Sequence, residues 1–164
     1  MANRPNDMPA IMPMIAYEDG AAALDWLAKA FGFTERLRLT APDGTISHAE
    51  MVAGDGVIAL ATPTPDYQSP RRHRKTCEAA RRWSEVPYII DGLMVYVDNV
   101  DAHVRTAKAA GATLLSEPED TPYGQRHYRV EDLEGHRWMF AEHLADVDPD
   151  QWGAQVASAA TLDE

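Results

Sequence analysis

The chain contains the same set of landmark residues twice, and this repeat limits the folds that are open to it. Four residues of the first half recur 79 positions later: Tyr17, Asp19, Gly32 and Gly56 correspond to Tyr96, Asp98, Gly111 and Gly135. Four matches at one spacing are hard to obtain by chance. Two copies are too few for a solenoid, so the repeat predicts two similar modules that share one core.

Each copy has the pattern of a strand, a helix and three further strands. In the first copy, Asp19 is placed to cap a helix whose apolar residues recur with helical spacing, and Gly32 follows as a C-cap glycine. Turn residues separate the remaining alternating runs. The predicted strands are residues 11–17, 33–40, 45–53 and 57–61. The second copy predicts Asp98 as the helix cap, Gly111 at the helix end, and strands at residues 92–97, 112–116, 126–132 and 136–143.

We therefore divide the chain into a first module over residues 1–61, a connector over residues 62–91, a second module over residues 92–145 and an acidic C-terminal tail over residues 146–164. The connector is rich in proline and predicts one short helix from about Arg72 to Trp83. Six of the chain's 15 basic residues lie between Arg71 and Arg82. They can form a solvated helix face that offsets the acidic modules, or a patch that binds an anionic ligand or partner.

The number of helices predicts how the modules are arranged. One helix in each module cannot cover both faces of both sheets, so another surface must cover the remaining faces. The economical arrangement curls the two sheets around a shared cleft, which is the first place to expect a ligand. The predicted fold class is α+β, with two β-α-β-β-β modules in one chain forming curled mixed sheets around a cleft.

Charge and cysteine content exclude several classes of function. A net charge of −11 disfavours nucleic acid as a partner, because phosphate binding needs clustered cations on an accessible face. The single cysteine, Cys77, can form neither an intramolecular disulfide nor a cysteine zinc cluster. No run approaches the roughly 18 apolar residues of a membrane span, and the first residues lack the apolar core of a signal peptide. We expect a cytoplasmic protein without a membrane partner.

Several segments resemble one protein superfamily. The segments are Ala-Leu-Asp-Trp-Leu at 23–27, Phe-Gly-Phe at 31–33, Pro-Asp-Gly at 42–44, His-Ala-Glu at 48–50, Tyr-Gly at 123–124 and Glu-Gly-His-Arg-Trp at 134–138. Over residues 11–143 the chain resembles the vicinal oxygen chelate superfamily, which includes glyoxalase I, extradiol dioxygenases, fosfomycin-resistance enzymes and bleomycin-resistance proteins. It is most similar to the PhnB-like branch. The resemblance implies paired β-α-β-β-β modules, but one fold hosts many chemistries.

The resemblance also implies where a metal would be held. Enzymes of this superfamily place His, Gln or Glu ligands on the first and last strands of each module, and the metal acts as a Lewis acid. Those positions correspond here to Met12, Ala59, Gly92 and Met139. None of these side chains can bind a hard divalent cation. We therefore expect no metal and no other cofactor.

Two polar residues of the third predicted strand are candidates for ligand binding. His48 and Glu50 lie two positions apart, so both side chains point to one face, whereas Ala49 and Met51 point to the other. If Ala49 and Met51 pack under the helix, His48 and Glu50 face the cleft, where they could position a general base or bind a polar ligand. The alternative is a solvent-facing polar pair.

Arg137 and Tyr96 are the other two candidates. In the last strand Trp138 and Phe140 are expected to face the helix, so alternation places Arg137 toward the cleft, where it could bind an anion. An arginine directly after a turn is also commonly solvated. Tyr96 is expected on the cleft face of its strand, where it could stack on a planar ligand, with core packing as the alternative. The sequence assigns no catalytic residue.

The function that these observations favour is binding of a small organic molecule in the cleft without the usual metal, in the manner of bleomycin-resistance proteins. The alternative is a metal-dependent lyase or dioxygenase with an atypical ligand set that includes His48 and Glu50. Members of the superfamily commonly pair modules across chains, which implies a homodimer.

Overall fold

The computed structural model describes Pro5, residues 8–87 and residues 92–155, so the end of the connector and the end of the tail lie outside the described residues. The first module comprises β1 (Met14–Ala16), α1 (Gly20–Phe31), β2 (Thr34–Thr40), β3 (Ile46–Ala53) and β4 (Gly56–Ala61). The connector contains α2 (Pro70–His73) and α3 (Glu78–Ser84). The second module comprises β5 (Gly92–Tyr96), α4 (Val100–Ala109), β6 (Thr113–Asp120), β7 (Gln125–Glu131) and β8 (Arg137–His143), followed by a 3-10 turn at Pro149–Trp152.

The two sheets have the same topology, which confirms the predicted α+β fold with two β-α-β-β-β modules. The strand orders are β1-β4-β3-β2 and β5-β8-β7-β6. In each sheet the first strand runs parallel to the last, and the other neighbours are antiparallel. The sheets are mixed and do not close into a barrel. No helix within the described part of the chain is long and apolar enough to cross a membrane.

The spacing between equivalent positions changes along the chain, which corrects one predicted helix cap. The amide of Tyr17 donates to the carbonyl of Ala61, and the amide of Val97 donates to that of Ala141, so these strands correspond at a spacing of 80. The cap of α4 is accordingly Asn99, whose side chain accepts from the amide of Ala102, and not Asp98. The second module has one residue fewer between cap and Gly111, and one more in its last hairpin loop.

Two further boundaries differ from the sequence prediction. The connector forms two short helices, because the backbone turns at residues 74–77 and Thr76 donates its hydroxyl to the carbonyl of His73, which competes with helix continuation. Strand β6 continues through Pro118 to Asp120. A proline is tolerated there because β6 is an edge strand.

The helices lie side by side and pack on one core that the modules share. Phe31 of α1 contacts Trp138 and Phe140 of β8, at ring-centroid distances of 5.6 and 4.7 Å. The indole N–H of Trp26 donates to the carbonyl of Ala110 at the end of α4. The residues predicted to face the helices are fully buried in this core: Ala49, Met51, Trp138 and Phe140. The opposite face of each sheet is called the open face below.

Candidate ligand-binding site

Most of the large apolar side chains that the fold leaves exposed lie on the open faces. Residues that pair across neighbouring strands point to the same face of the sheet. In the first sheet Ala59 pairs with Met14 and with Glu50, and Glu50 pairs with Leu37, so these side chains all lie on the open face. Neither Met14 nor Leu37 belongs to the core, and Met14 is 79% exposed. Other large apolar residues that share these faces are Leu39, Val52, Met94 and Tyr96. Such a surface is available to a ligand or to another chain.

A small ionic cluster lies in the middle of the open face of the first sheet. Glu50 accepts a hydrogen bond from Arg36, and its other oxygen lies 3.1 Å from Nε2 of His48. The carboxylate is nearly buried, whereas about a third of the His48 side chain is exposed. The hydrogen bond from His48 and the ion pair with Arg36 hold the pKa of Glu50 below its ordinary value. Glu50 is therefore an acceptor at neutral pH and a weak base.

Arg137 connects the last strand to the connector. Its guanidinium donates to the carbonyls of Ser84 and Val86 and lies 3.6 Å from the carboxylate of Glu131. Arg74 of the connector donates two hydrogen bonds to the same carboxylate, at 2.6 and 2.7 Å. Glu131 is fully buried, and its hydrogen bonds raise the pKa of Arg74. The chain thus uses Arg137 to fix the position of α3 relative to the second sheet.

A cavity of about 790 Å³ lies between these ion pairs and the first strand. Its walls come from residues 13–16 around β1, from the inner side of α3, and from the starts of β5 and β8. We call it the connector cavity. Two of its lining side chains are large, apolar and exposed: Trp83 is 61% exposed and Met14 is 79% exposed. The volume is within the roughly 300–1,000 Å³ typical of small-molecule sites.

A second cavity, of about 780 Å³, lies between the start of β4 and strand β5. It shares Pro13, Leu93 and Trp138 with the connector cavity, so the two are adjacent. Tyr96 lines this second cavity, and its hydroxyl accepts a hydrogen bond from the side-chain amide of Gln125 at 2.6 Å. Tyr96 is exposed and not part of the core, so the structure selects the open-face orientation over core packing.

The structure brings together two of the four residues that the sequence proposed for ligand binding. His48 and Glu50 are in contact, whereas Arg137 and Tyr96 line two different cavities, and the lining of neither cavity includes His48 or Glu50. Within one chain the four side chains therefore do not form a single site. Sequence reasoning missed the side chains that pair with them, which are Arg36 with Glu50, Gln125 with Tyr96 and Glu131 with Arg137, and it also missed Arg74, which pairs with Glu131. The clustered basic residues of the connector were a signal for Arg74, but nothing in the sequence paired it with Glu131, 57 positions later.

The residues at the ligand positions of the superfamily do not fit a metal. Those positions are Met12, Ala59, Gly92 and Met139, none of which has a ligating side chain. The ladder pairs Ala59 with Met14 and Met139 with Met94, which are also apolar. Thioether sulfur and methyl groups are poor ligands for hard divalent cations. Among the described residues, no group of three or more His, Cys, Asp or Glu side chains is arranged to hold an ion.

Comparison with known proteins agrees with this architecture. The family model of the Glyoxalase/Bleomycin resistance protein/Dioxygenase superfamily matches residues 10–140. The chain belongs to this superfamily. Among solved structures, TioX from Micromonospora sp. ML1 is 32% identical, with a TM-score of 0.61 over 85% of this chain and 100% of TioX. An uncharacterised protein of Mycobacterium tuberculosis is 29% identical over 157 residues, which is 93% of this chain and 85% of the relative.

More distant structures of the superfamily share the fold alone. The fosfomycin resistance protein FosX from Listeria monocytogenes is 10% identical, with a TM-score of 0.56 over 87% of this chain and 96% of FosX.

Proposed function

We propose that this chain is a PhnB-like, bleomycin-resistance-like protein that binds a small organic molecule between its open sheet faces without a resident metal. The observation that carries the proposal is the absence of ligating side chains at the superfamily's ligand positions, Met12, Ala59, Gly92 and Met139. Met14 and Met94, which pair with Ala59 and Met139, extend this apolar surface. A superfamily cleft that presents thioethers and methyl groups where its enzymes hold a cation suits contact with apolar or aromatic surface. The superfamily description includes bleomycin resistance proteins, which supports the proposal.

We further propose that the binding protein is a homodimer. The open face of the first sheet combines exposed Met14, Leu37 and Leu39 with the nearly buried Glu50 carboxylate. In the proposed dimer, the open face of the second module of one copy covers the open face of the first sheet of the other, with Tyr96 of one copy near His48 and Glu50 of the other. The four proposed site residues could then serve one ligand site that is incomplete in a single chain.

The test combines metal analysis with binding measurements. Protein purified without a chelator or an affinity tag is analysed for Zn, Ni, Fe and Mn, and its melting temperature is screened against a library of natural products that includes bleomycin. Binding of any hit is then measured by calorimetry before and after dialysis against EDTA. We expect no stoichiometric metal, an unchanged dissociation constant after EDTA treatment, and recovery of the ligand unmodified by mass spectrometry.

The alternative is a metal-dependent lyase or dioxygenase in which His48 and Glu50 supply ligands. Their contact at 3.1 Å is the observation in its favour. Against it, the Arg36 guanidinium already holds one Glu50 oxygen, and a cation there would be repelled by the same charge. About one ion per chain that is lost on replacing His48, together with conversion of the ligand, would replace the binding proposal with this enzyme.

A further inference from the structure

The connector cavity has an aromatic wall that the fold itself does not use. Trp83 projects from α3 with 61% of its surface exposed, and its ring makes no aromatic contact among the described residues. Met14, on the facing strand β1, is even more exposed. Large exposed apolar side chains at the mouth of a cavity are costly to keep in water and favour a flat apolar ligand, because an indole ring stacks on planar groups and a thioether adapts to them.

The same cavity lies in the most basic part of an acidic protein. The chain carries a net charge of −11, but residues 71–86 contain six arginines and lysines against two glutamates. Arg74 and Arg137 line the cavity together with one carboxylate, that of Glu131. Lys75, Arg81 and Arg82 are exposed and form no ion pair within the described residues. The two guanidiniums outnumber the one carboxylate in the lining, and a cleft with an excess of positive charge attracts small anions.

We infer that the connector cavity takes an aromatic molecule that carries an anionic group. The ring stacks on Trp83 and makes apolar contact with Met14, and the anion is attracted by the positive potential of the connector. The guanidiniums of Arg74 and Arg137 already donate to Glu131 and to backbone carbonyls, so the attraction acts mainly through space. The inference rests on the proposed function in that it assumes a binding protein, and it adds a second binding place within one chain, apart from His48, Glu50 and Tyr96, together with the class of ligand that this place takes.

The test uses two probes with the same ring system. Naphthalene-2-sulfonate is an anion at neutral pH, whereas 2-naphthol is neutral. Calorimetry measures both dissociation constants for the full chain and for Trp83→Leu, with Trp152→Leu as the matched control. Trp152 is also an exposed tryptophan, but it packs on Tyr123 at the other end of the second sheet. The charge contribution is measured with Arg81→Gln/Arg82→Gln, and Lys29→Gln on α1 is the control for removing an exposed cation elsewhere.

We expect the sulfonate to bind at least about fivefold tighter than the naphthol. Trp83→Leu should raise the dissociation constant of the sulfonate about tenfold, whereas Trp152→Leu should change it less than about twofold. The double arginine variant should reduce the preference for the anion, whereas Lys29→Gln should not. Light scattering should show that Trp83→Leu keeps the oligomeric mass of the parent protein, which separates loss of a ligand contact from loss of an interface.

Each contrary result is informative. Equal affinity for the two probes, with both weakened by Trp83→Leu, overturns the anionic class but leaves the proposed binding function standing. A sulfonate affinity that is unaffected by Trp83→Leu overturns the assignment to this cavity. If neither probe binds but the natural-product screen yields a hit, the inferred ligand class is wrong and the proposed binding function stands. If the screen also yields no hit, the proposed function is wrong as well.

Discussion

The hydroxyl of Tyr17, at the end of the first strand, donates a 2.7 Å hydrogen bond to Oδ2 of Asp132 in the last hairpin of the second module. Both residues are fully buried. The indole N–H of Trp138 donates to the same oxygen, and the amides of Glu134 and His136 donate to the other. Every lone-pair direction of this carboxylate is thus used, as a buried carboxylate requires, and the hydrogen bond from Tyr17 is the one that joins the two modules.

Replacing Tyr17 by Phe should destabilise this junction. Burial and the nearby Asp132 carboxylate raise the pKa of Tyr17 well above its ordinary value, so the hydroxyl remains a donor at neutral pH. Its removal leaves a buried carboxylate short of one donor, and we expect the free energy of unfolding in urea to fall by about 2 kcal/mol. Tyr67→Phe, which removes a hydroxyl that donates to the carbonyl of Ala16, is the control and should cost less. Equal losses would contradict a special role for the buried carboxylate.

The sequence correctly predicted the features that depend on the local alternation of residues along a strand. It did not predict the contacts between residues that are far apart in the chain. Alternation placed Trp138 and Phe140 against the helices correctly, because that pattern needs only the period of a strand. The same alternation does not predict the shift in strand register between Glu35 and Leu37, where Arg36 contacts Glu50. A single spacing of 79 likewise did not identify Asn99 as the helix cap. The second module has one residue fewer than the first between the cap and Gly111, and one more in its last hairpin loop.

Glu50→Gln tests both stability and binding. The carboxylate of Glu50 is nearly buried and accepts hydrogen bonds from Arg36 and His48, so it contributes to stability as well as to the proposed site. We expect a loss of about 1–2 kcal/mol in the free energy of unfolding, together with weaker ligand binding by calorimetry. Glu35→Gln is the control, because Glu35 forms an exposed ion pair with Arg38 on β2. It should change stability by less than about 0.5 kcal/mol and leave binding unaltered.

His103 should make stability depend on pH. Its Nε2–H donates to the carbonyl of Phe31, and its Nδ1 accepts from the hydroxyl of Tyr128, so the ring is satisfied as the neutral form. Burial lowers the pKa of His103 in the folded state. The unfolded chain then binds the proton more readily. The free energy of unfolding should therefore be highest above the ordinary histidine pKa of about 6.5 and fall as the pH drops through 6.5 toward the lowered value.

Urea unfolding between about pH 7.5 and about pH 5.5 measures this loss, and His103→Gln should reduce it. Burial also lowers the pKa of His127, so part of the dependence will remain in His103→Gln. An identical profile for wild type and His103→Gln would rule out His103 as a source.

Two glycines with similar backbone angles should respond very differently to alanine. Gly124 and Gly44 have φ values of +81° and +89°, so both substitutions introduce backbone strain. A Cβ on Gly124 would lie 2.0 Å from the carbonyl oxygen of Ala145, whereas a Cβ on Gly44 would meet nothing within 4 Å. Gly44→Ala should therefore lower the free energy of unfolding by about 1 kcal/mol. Gly124→Ala should lower it several times more, because the chain after β8 must move. The melting temperatures of the two variants measure this difference. Similar decreases in both would show that the segment after β8 moves at little cost in stability.

The proposed homodimer makes the open face of the first sheet an interface. Leu39 lies on the edge strand β2 with 61% of its surface exposed, beside Leu37 and opposite His48. Light scattering of the wild-type protein at micromolar concentration should give about twice the chain mass of 18.1 kDa. A buried, unpaired carboxylate is strongly unfavourable at an interface, so Leu39→Glu should shift the mass toward a single chain.

The control for that substitution is Leu144→Glu, another exposed leucine, which follows β8 and lies away from the open face of the first sheet. It should leave the mass unchanged. Circular dichroism should show that both variants remain folded, because neither leucine belongs to the core. If ligand binding requires both copies, Leu39→Glu should also weaken any hit from the natural-product screen, most strongly at low protein concentration. A wild-type protein that is monomeric at every concentration, yet binds its ligand fully, would show that one chain completes the site and that the open face needs no partner.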